Sequence, residues 1–306
     1  MNDSSILRRL WRRWGTRLCL LVVAFYSLAA ACWEIARWRA LAADRTPYYN
    51  AVHEEQRYLP PAPVRWFQDA PAGSPAAGPW AYPLGSDNLG RDVLARLVQG
   101  ARIAFYVGIV TSLIALPLGV LLGCLGGYFG GRTDSAVNWL CATVASMPGL
   151  LFILAVAIVI GPGLGGVCVG ISLMTWVGVC RNVRAEVIRH RERAYAQAAR
   201  VLGYSHGRVL FRHILPNVMH IVLIAFSIRF PAAVATEVFV SFLGIGVQGE
   251  PSWGVMINDA RVRLWQGVWW EMTFVSAAIF ALVLSFNNLA DAMRDLLDPA
   301  LRTEKV

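Results

Sequence analysis

Residues 195–217 read YAQAARVLGYSHGRVLFRHILPN, a basic and helix-forming stretch set between two long apolar runs. Tyr195, Ala198, Ala199 and Leu202 fall at i, i+3, i+4 and i+7, which puts them on one face of a helix. Gly203 suits the left-handed residue that ends a helix. Ser205 suits the cap of a second short helix whose apolar residues are Val209, Leu210 and Phe211. Pro216 is expected to stop that helix before the next apolar run. The residues alone leave two uses open. Alanine and glycine keep the first helix slim enough for a groove on a partner, and its arginines equally suit lipid headgroups.

The surroundings of this stretch point to a bilayer. The 306 residues are 57% hydrophobic and only 15% charged, against about 25% charged in a soluble domain. Apolar runs near the bilayer-crossing length of about 20 residues occur at 18–36, 103–128, 137–160, 164–180, 218–247 and 272–289. The net charge of +9 would suggest nucleic acid in a soluble protein. Here the basic residues gather at the ends of apolar runs, where they set topology, so no nucleic-acid partner is expected.

Five arginines precede the first run, and residues 181–216 carry eight arginines against two glutamates. Both segments should face the cytoplasm. Six spans then place loop 37–100 outside and both termini inside. The seven arginines of that loop are tolerated because long loops translocate largely regardless of charge. A basic head, an apolar run and Ala29–Ala31 also describe a signal peptide, but the run is long for one and is read as a retained first span. The piece LPPAPVRWFQDAPAGSPAAGPWAYPLG, residues 59–85, reads as a loop with little regular structure until Asn88. Pro117, Pro148 and Pro231 lie within spans and should kink or interrupt them. Gly119, Gly123 and Gly127 lie four apart on one helix face, where two backbones can approach closely.

The chemistry the chain lacks narrows its role. Lys305 is the single lysine and stands between Glu304 and Val306, so there is no Gly-Lys-Ser/Thr phosphate loop. Any ATP that drives this protein is bound by another chain. GPGLGG (161–166) fits a dinucleotide fingerprint but joins two apolar runs instead of a strand and a helix. GYSHG (203–207) fits a nucleophile elbow but follows helical spacing, and no Asp-then-His pair comes after it. The six cysteines form no Cys-x-x-Cys pair and read as small buried hydrophobes. No catalytic residue, metal ligand or cofactor-binding residue is expected.

Arg229 and Glu237 are the charges deepest in an apolar run. Such a charge costs on the order of 2.5–3.5 kcal/mol on insertion scales, so each must face protein, water or an opposite charge. Eight residues separate them, which puts them on one side but too far apart for a direct bridge. Stabilising the bundle and lining a pathway both remain open for the pair. Pro251, Ser252, Trp253 and Gly254, with Trp265, Trp269 and Trp270, belong to the outer side. Those first four residues are candidates for contact with a docked protein.

QAARVLG…HILPN resembles the cytoplasmic signature loop of ABC importer permeases: Glu-Ala-Ala, three residues, Gly, nine residues, then a position followed by x-Leu-Pro. Gln197 stands where the family usually has Glu, and His213 where Ile is common. Residues 82–102 (YPLGSDNLGRDVLARLVQGAR), 240–257 (VSFLGIGVQGEPSWGVMI) and 287–299 (NNLADAMRDLLDP) are similar to the C-type permease subunit of dipeptide, oligopeptide and nickel importers. The resemblance implies an all-α, six-helix type I importer fold with a coupling helix that docks on an ATPase, carried by Tyr195, Gln197, Ala198, Ala199, Arg200 and Gly203. It implies a cytoplasmic-membrane (inner-membrane) subunit that translocates peptides or a related small solute. The implied partners are a B-type permease in a heterodimer, two ATP-binding subunits and an extracytoplasmic solute-binding protein, besides membrane lipid. The corresponding organisation is a cytoplasmic N-terminus with the first span (1–36), an outer loop (37–100), a five-helix core (101–299) with its coupling loop at 181–216, and a tail (300–306). The competing readings are an ion-gradient-driven secondary transporter and a membrane hydrolase using Ser205.

Overall fold

The computed structural model describes residues 14–44, 47–65, 82–161 and 163–297. The arginine-rich head up to Arg13, residues 66–81 of the Pro/Ala/Gly-rich piece and the tail from residue 298 lie outside the described residues. Among the described residues the chain is helical, with one isolated antiparallel bridge, Ser86 to Asp92.

Five helices are long and apolar enough to cross a bilayer. They are α1 (Trp14–Ala42), α3 (Val93–Phe129), α6 (Leu164–Arg191), α9 (Leu215–Phe242) with the turns that lead into it, and α11 (Trp270–Leu297). The run expected as one span at 137–160 is two helices, α4 (Gly131–Ala145) and α5 (Gly149–Ile160), bent by 85°. Pro148 causes the break. It has extended backbone at the N-cap of α5 and lacks the N–H that would continue α4. Pro117 and Pro231, expected to kink or interrupt, lie inside helices that run on as single elements.

Helix α3 begins ten residues before the expected span and continues for 37 residues, about 55 Å at helical rise. Its polar first turns, with Arg96, Gln99 and Arg102, are not a loop because each side chain is engaged by protein. Upstream, Tyr48–Asn50, Glu54–Gln56 and α2 (Ala62–Arg65) are single turns within the expected irregular loop. The GSDNLGRD piece ties itself into a knot. Asp87 accepts from the backbone N–H of Leu89 and Arg91 at 2.9 Å each and from Arg91 Nε at 2.6 Å. Asp92 caps α3 by accepting from the Leu94 N–H, and burial pushes its carboxyl above the usual range. Trp270 Nε1 donates to the Ser86 carbonyl, which pins the start of α11 to the same knot.

Gly119, Gly123 and Gly127 press α3 onto α6. A Cβ on Gly119 would lie 2.6 Å from Val179 Cβ, and one on Gly123 2.7 Å from the Cys180 carbonyl. Near the C-terminal ends of these helices Arg184 holds Asp134, with Nη2 donating to Oδ2 at 2.6 Å. Toward its C-terminal end α1 is fastened by a charge quartet. Arg37 contacts Glu34 at 3.2 Å and Glu250 at 3.4 Å, while Arg102 contacts Glu250 at 2.6 Å and also holds Glu34. Gln99 adds a donor to Glu250 at 3.2 Å.

Arg102→Ala should leave two carboxylates facing one guanidinium. Breaking a fully buried pair costs about 3–5 kcal/mol. Glu34 and Glu250 retain 34% and 25% side-chain exposure, so water offsets part of that and about 1–3 kcal/mol is expected. Thermal unfolding of the detergent-solubilised variant against wild type measures the effect, and an unchanged midpoint would show that the quartet is not what holds α1.

Candidate coupling site

Residues 194–208 form a helix–turn–helix protrusion between α6 and α9. Helix α7 (Ala194–Val201) ends in Leu202 and Gly203, whose φ of +79° is left-handed. The Gly203 N–H donates to the Arg200 carbonyl at 2.9 Å and the Tyr204 N–H to the Ala199 carbonyl at 3.1 Å. That pair of bonds is the Schellman stop, which glycine permits without a Cβ penalty. Ser205 Oγ then accepts from the Arg208 N–H and caps α8 (His206–Arg208), so this hydroxyl has a structural task.

Beyond α8 the expected stop at Pro216 does not occur. The helix widens into a π segment, Val209–Ile214, and flows into α9. Pro216 has no N–H and its ring crowds the carbonyl four residues back. One wide turn relieves that conflict, and such turns recur at functional positions. The second short helix is therefore the N-terminal end of a helix long and apolar enough to cross a bilayer.

The face of α7 also differs from the expected one. Ala196 and Ala199 are buried against Val183, Val187, Val209, Leu210 and Ile214. Tyr195, Ala198 and Leu202 point away, because only the alanine methyls are small enough to fit between α6 and the π segment. Of the three apolar residues of the second short helix, Val209 and Leu210 are buried and Phe211 is exposed. Val201 is 88% and Leu202 72% exposed, and Tyr204 adds to the same apolar tip. Gln197 is exposed and its Nε2 donates to the Glu192 carbonyl at 3.1 Å.

Arg200 turns inward. Its guanidinium lies 5.3 Å over the Tyr128 ring and donates to the Arg191 carbonyl. Tyr128 in turn bonds His206 Nδ1 through its hydroxyl at 3.0 Å, and Arg191 Nη1 donates to the Tyr128 carbonyl at 3.2 Å. His190 meets the Tyr195 hydroxyl at 2.6 Å. The protrusion is thus clamped to the ends of α3 and α6, and a recess of about 340 Å³ among Tyr128, Phe129, Arg191, Glu192, Arg200 and His206 opens beside it. The sequence reading missed Tyr128, Arg191 and His206 as members of this site. They come from three separate segments, and no local pattern links them.

Away from this loop, Pro251, Ser252, Trp253 and Gly254 are all buried within the chain. Ser252 Oγ caps α10 (Trp253–Arg263), and Trp253 Nε1 donates to the Leu97 carbonyl at 3.0 Å. These four residues present no outward face, so the expected contact for a docked protein is corrected. The Trp253 ring needs Gly100 opposite it and fills the gap between α3 and α10. Of the outer tryptophans, Trp265 and Trp269 are exposed and Trp270 is buried. Glu237 is buried and accepts from Ser241 Oγ at 2.7 Å. It makes no bond to Arg229, as the spacing predicted.

The chain is thus a polytopic helical protein with an apolar-tipped protrusion between two of its membrane-length helices. Residues 115–303 match the family described as binding-protein-dependent transport system inner membrane component, and the chain belongs to that family. It is 38% identical over 229 residues to the dipeptide transport system permease protein DppC of Bacillus subtilis (strain 168), covering 74% of this chain and 71% of the relative. It is 36% identical over 230 residues to the glutathione transport system permease protein GsiD of Pectobacterium atrosepticum, covering 75% of each. It is 34% identical over 220 residues to the oligopeptide transport system permease protein OppC of Bacillus subtilis, covering 72% of each. The chain is therefore a multi-pass permease subunit of an ABC importer, and it works with other components of such a system. Neither the secondary transporter nor the Ser205 hydrolase is the reading that remains.

Proposed function

We propose that this permease translocates peptides and that α7 is its coupling helix. The observation that carries the reading is the apolar tip of α7 and its turn, held rigidly from below by Tyr128, Arg191 and Arg200. An exposed patch of this kind, on a backbone that cannot flex, suits a groove on a motor subunit. Ala198, Gln197, Tyr195 and Leu202 meet the motor. Ala196, Ala199 and Arg200 pass its displacement to α6 and α9, and Gly203 sets the angle.

The relatives' peptide and glutathione substrates support a short peptide as cargo. The partners in this reading are a related B-type permease, two ATP-binding subunits and an extracytoplasmic binding protein. Both termini and loop 181–216 lie in the cytoplasm, in line with their arginines. Closure of the ATPases pushes the coupling helix, and the spans rock between inward and outward openings.

The paired change Val201→Glu and Leu202→Glu tests this. It places two charges on the tip and leaves the buried face untouched. Co-purification with the ATPase subunits should fall on the order of a hundredfold, since each desolvated charge costs at least one tenfold step. Membrane levels of the chain should not change. Full retention of the ATPases would overturn the docking assignment. Concentrative uptake by this chain alone in liposomes, without an ATPase, would overturn the whole reading.

A further inference from the structure

The charges buried inside this chain are engaged by it. Arg96 lies beside Asp87 and Asp259, Arg102 beside Glu34 and Glu250, and Arg263 beside Glu271; Glu237 is met by Ser241. Arg229 differs. It stands at the middle of α9, and no hydrogen bond or ion pair within the described residues meets its guanidinium. The side chain is half-buried and reaches across to α6, where it lies over Gly178 so closely that a Cβ there would collide with Nη2. Gly178 is thus the vacancy that admits the Nη2 end of the guanidinium against α6.

A cation at this depth is too costly to leave toward lipid. It must face water or an opposite charge, and the face it occupies is open and small-sided: Ala232 is exposed, and Thr236 and Thr175 are half-exposed. A guanidinium with no partner among the described residues keeps donors free for a carboxylate, which it can take by two parallel hydrogen bonds.

We propose that Arg229 binds the carboxylate of the solute in transit, so that the permease itself selects for substrates ending in a free carboxylate. This rests on the peptide reading above and adds a contact inside the membrane. The cation is fixed and the carboxylate is carried past it. The contact should be weak enough to release, which half-burial ensures by keeping water at the site.

The experiment uses the complete transporter in proteoliposomes, with trialanine and its C-terminal amide as probes. Arg229→Gln should lower trialanine uptake on the order of tenfold, the worth of about one charge-assisted hydrogen bond. Amide uptake should stay near wild type, and Arg229→Lys should fall between. Comparing each variant with wild type for the same peptide cancels the binding protein's own preference. Equilibrium binding of both peptides to the nucleotide-free complex without binding protein gives the same comparison should the amide not be delivered. Gly178→Ala, which displaces the guanidinium at constant charge, should copy Arg229→Gln.

Equal loss for both peptides, together with loss of the second permease on purification, would mean that Arg229 pairs with a partner carboxylate, and would overturn the proposal. Unchanged uptake and binding of both peptides would overturn it as well. A wild-type transporter that takes neither peptide would end the peptide reading and this inference with it. Uptake of both with no sensitivity to Arg229 would end the inference alone.

Discussion

Replacing Gly123 with leucine should abolish accumulation of the folded chain. A single methyl there would lie 2.7 Å from the Cys180 carbonyl and 3.0 Å from Val183 Cβ. The nearest obstacle is backbone, which cannot rotate away as a side-chain end can. A Cβ on Gly119 or Gly127 would likewise lie 2.8 Å from the Trp176 or Arg184 carbonyl, so the three glycines form one continuous seam and α6 cannot yield at one turn without opening the others. Overpacking by one methyl costs about 1–3 kcal/mol, and leucine adds three more carbons with no cavity to receive them. Against a total stability of about 5–15 kcal/mol, Gly123→Ala should leave reduced but measurable folded protein and Gly123→Leu almost none. Monodisperse yield after solubilisation reads this directly. Normal yield of Gly123→Leu would mean that α3 and α6 are not in close contact in the membrane.

Gly203→Val is expected to leave the fold intact and remove the coupling. The glycine has a φ of +79° and nothing within 4 Å of where a Cβ would stand. The cost is therefore conformational and not steric. A left-handed L-residue costs roughly 1–2 kcal/mol, and a β-branched one more. The Schellman bonds to Ala199 and Arg200 would loosen, and the apolar tip at Val201 and Leu202 would lose its fixed direction. Uptake should drop on the order of tenfold or more, since each 1.4 kcal/mol of lost docking is a factor of ten. Membrane level and thermal midpoint should stay near wild type. Gly203→Asn should keep more activity, because asparagine tolerates the left-handed region. Equal loss in the two variants would argue against the turn geometry as the cause.

The two variants separate what could be read in the chain from what could not. Gly203 and Ser205 were legible as a helix stop and a helix cap, because both depend on a few neighbouring residues. The glycine seam was legible for the same reason, as was the need for Glu237 to find a partner. Five of the six expected spans stand as long apolar helices. Even the break at Pro148 was announced, although the size of the bend was not.

What escaped were features settled by distant residues. The start of α3 at Val93 was hidden because Arg96, Gln99 and Arg102 look like loop until Asp87, Asp259, Glu34 and Glu250 are brought to them. The PSWG piece looked like an exposed contact until Leu97 and Gly100 closed over Trp253.

From its sequence alone this protein is a basic, helical, multi-span membrane subunit with no Gly-Lys-Ser/Thr phosphate loop and with a basic loop between spans that resembles a known family's signature. Apolar run length, arginine placement and turn chemistry act over a few residues, so they are written in the order of the chain. Which face of α7 turns outward, which charges are silenced and that Arg229 has no partner among the described residues were decided by tertiary structure. Burial and ion pairing depend on what the other helices bring within a few ångströms, and that proximity has no local signature.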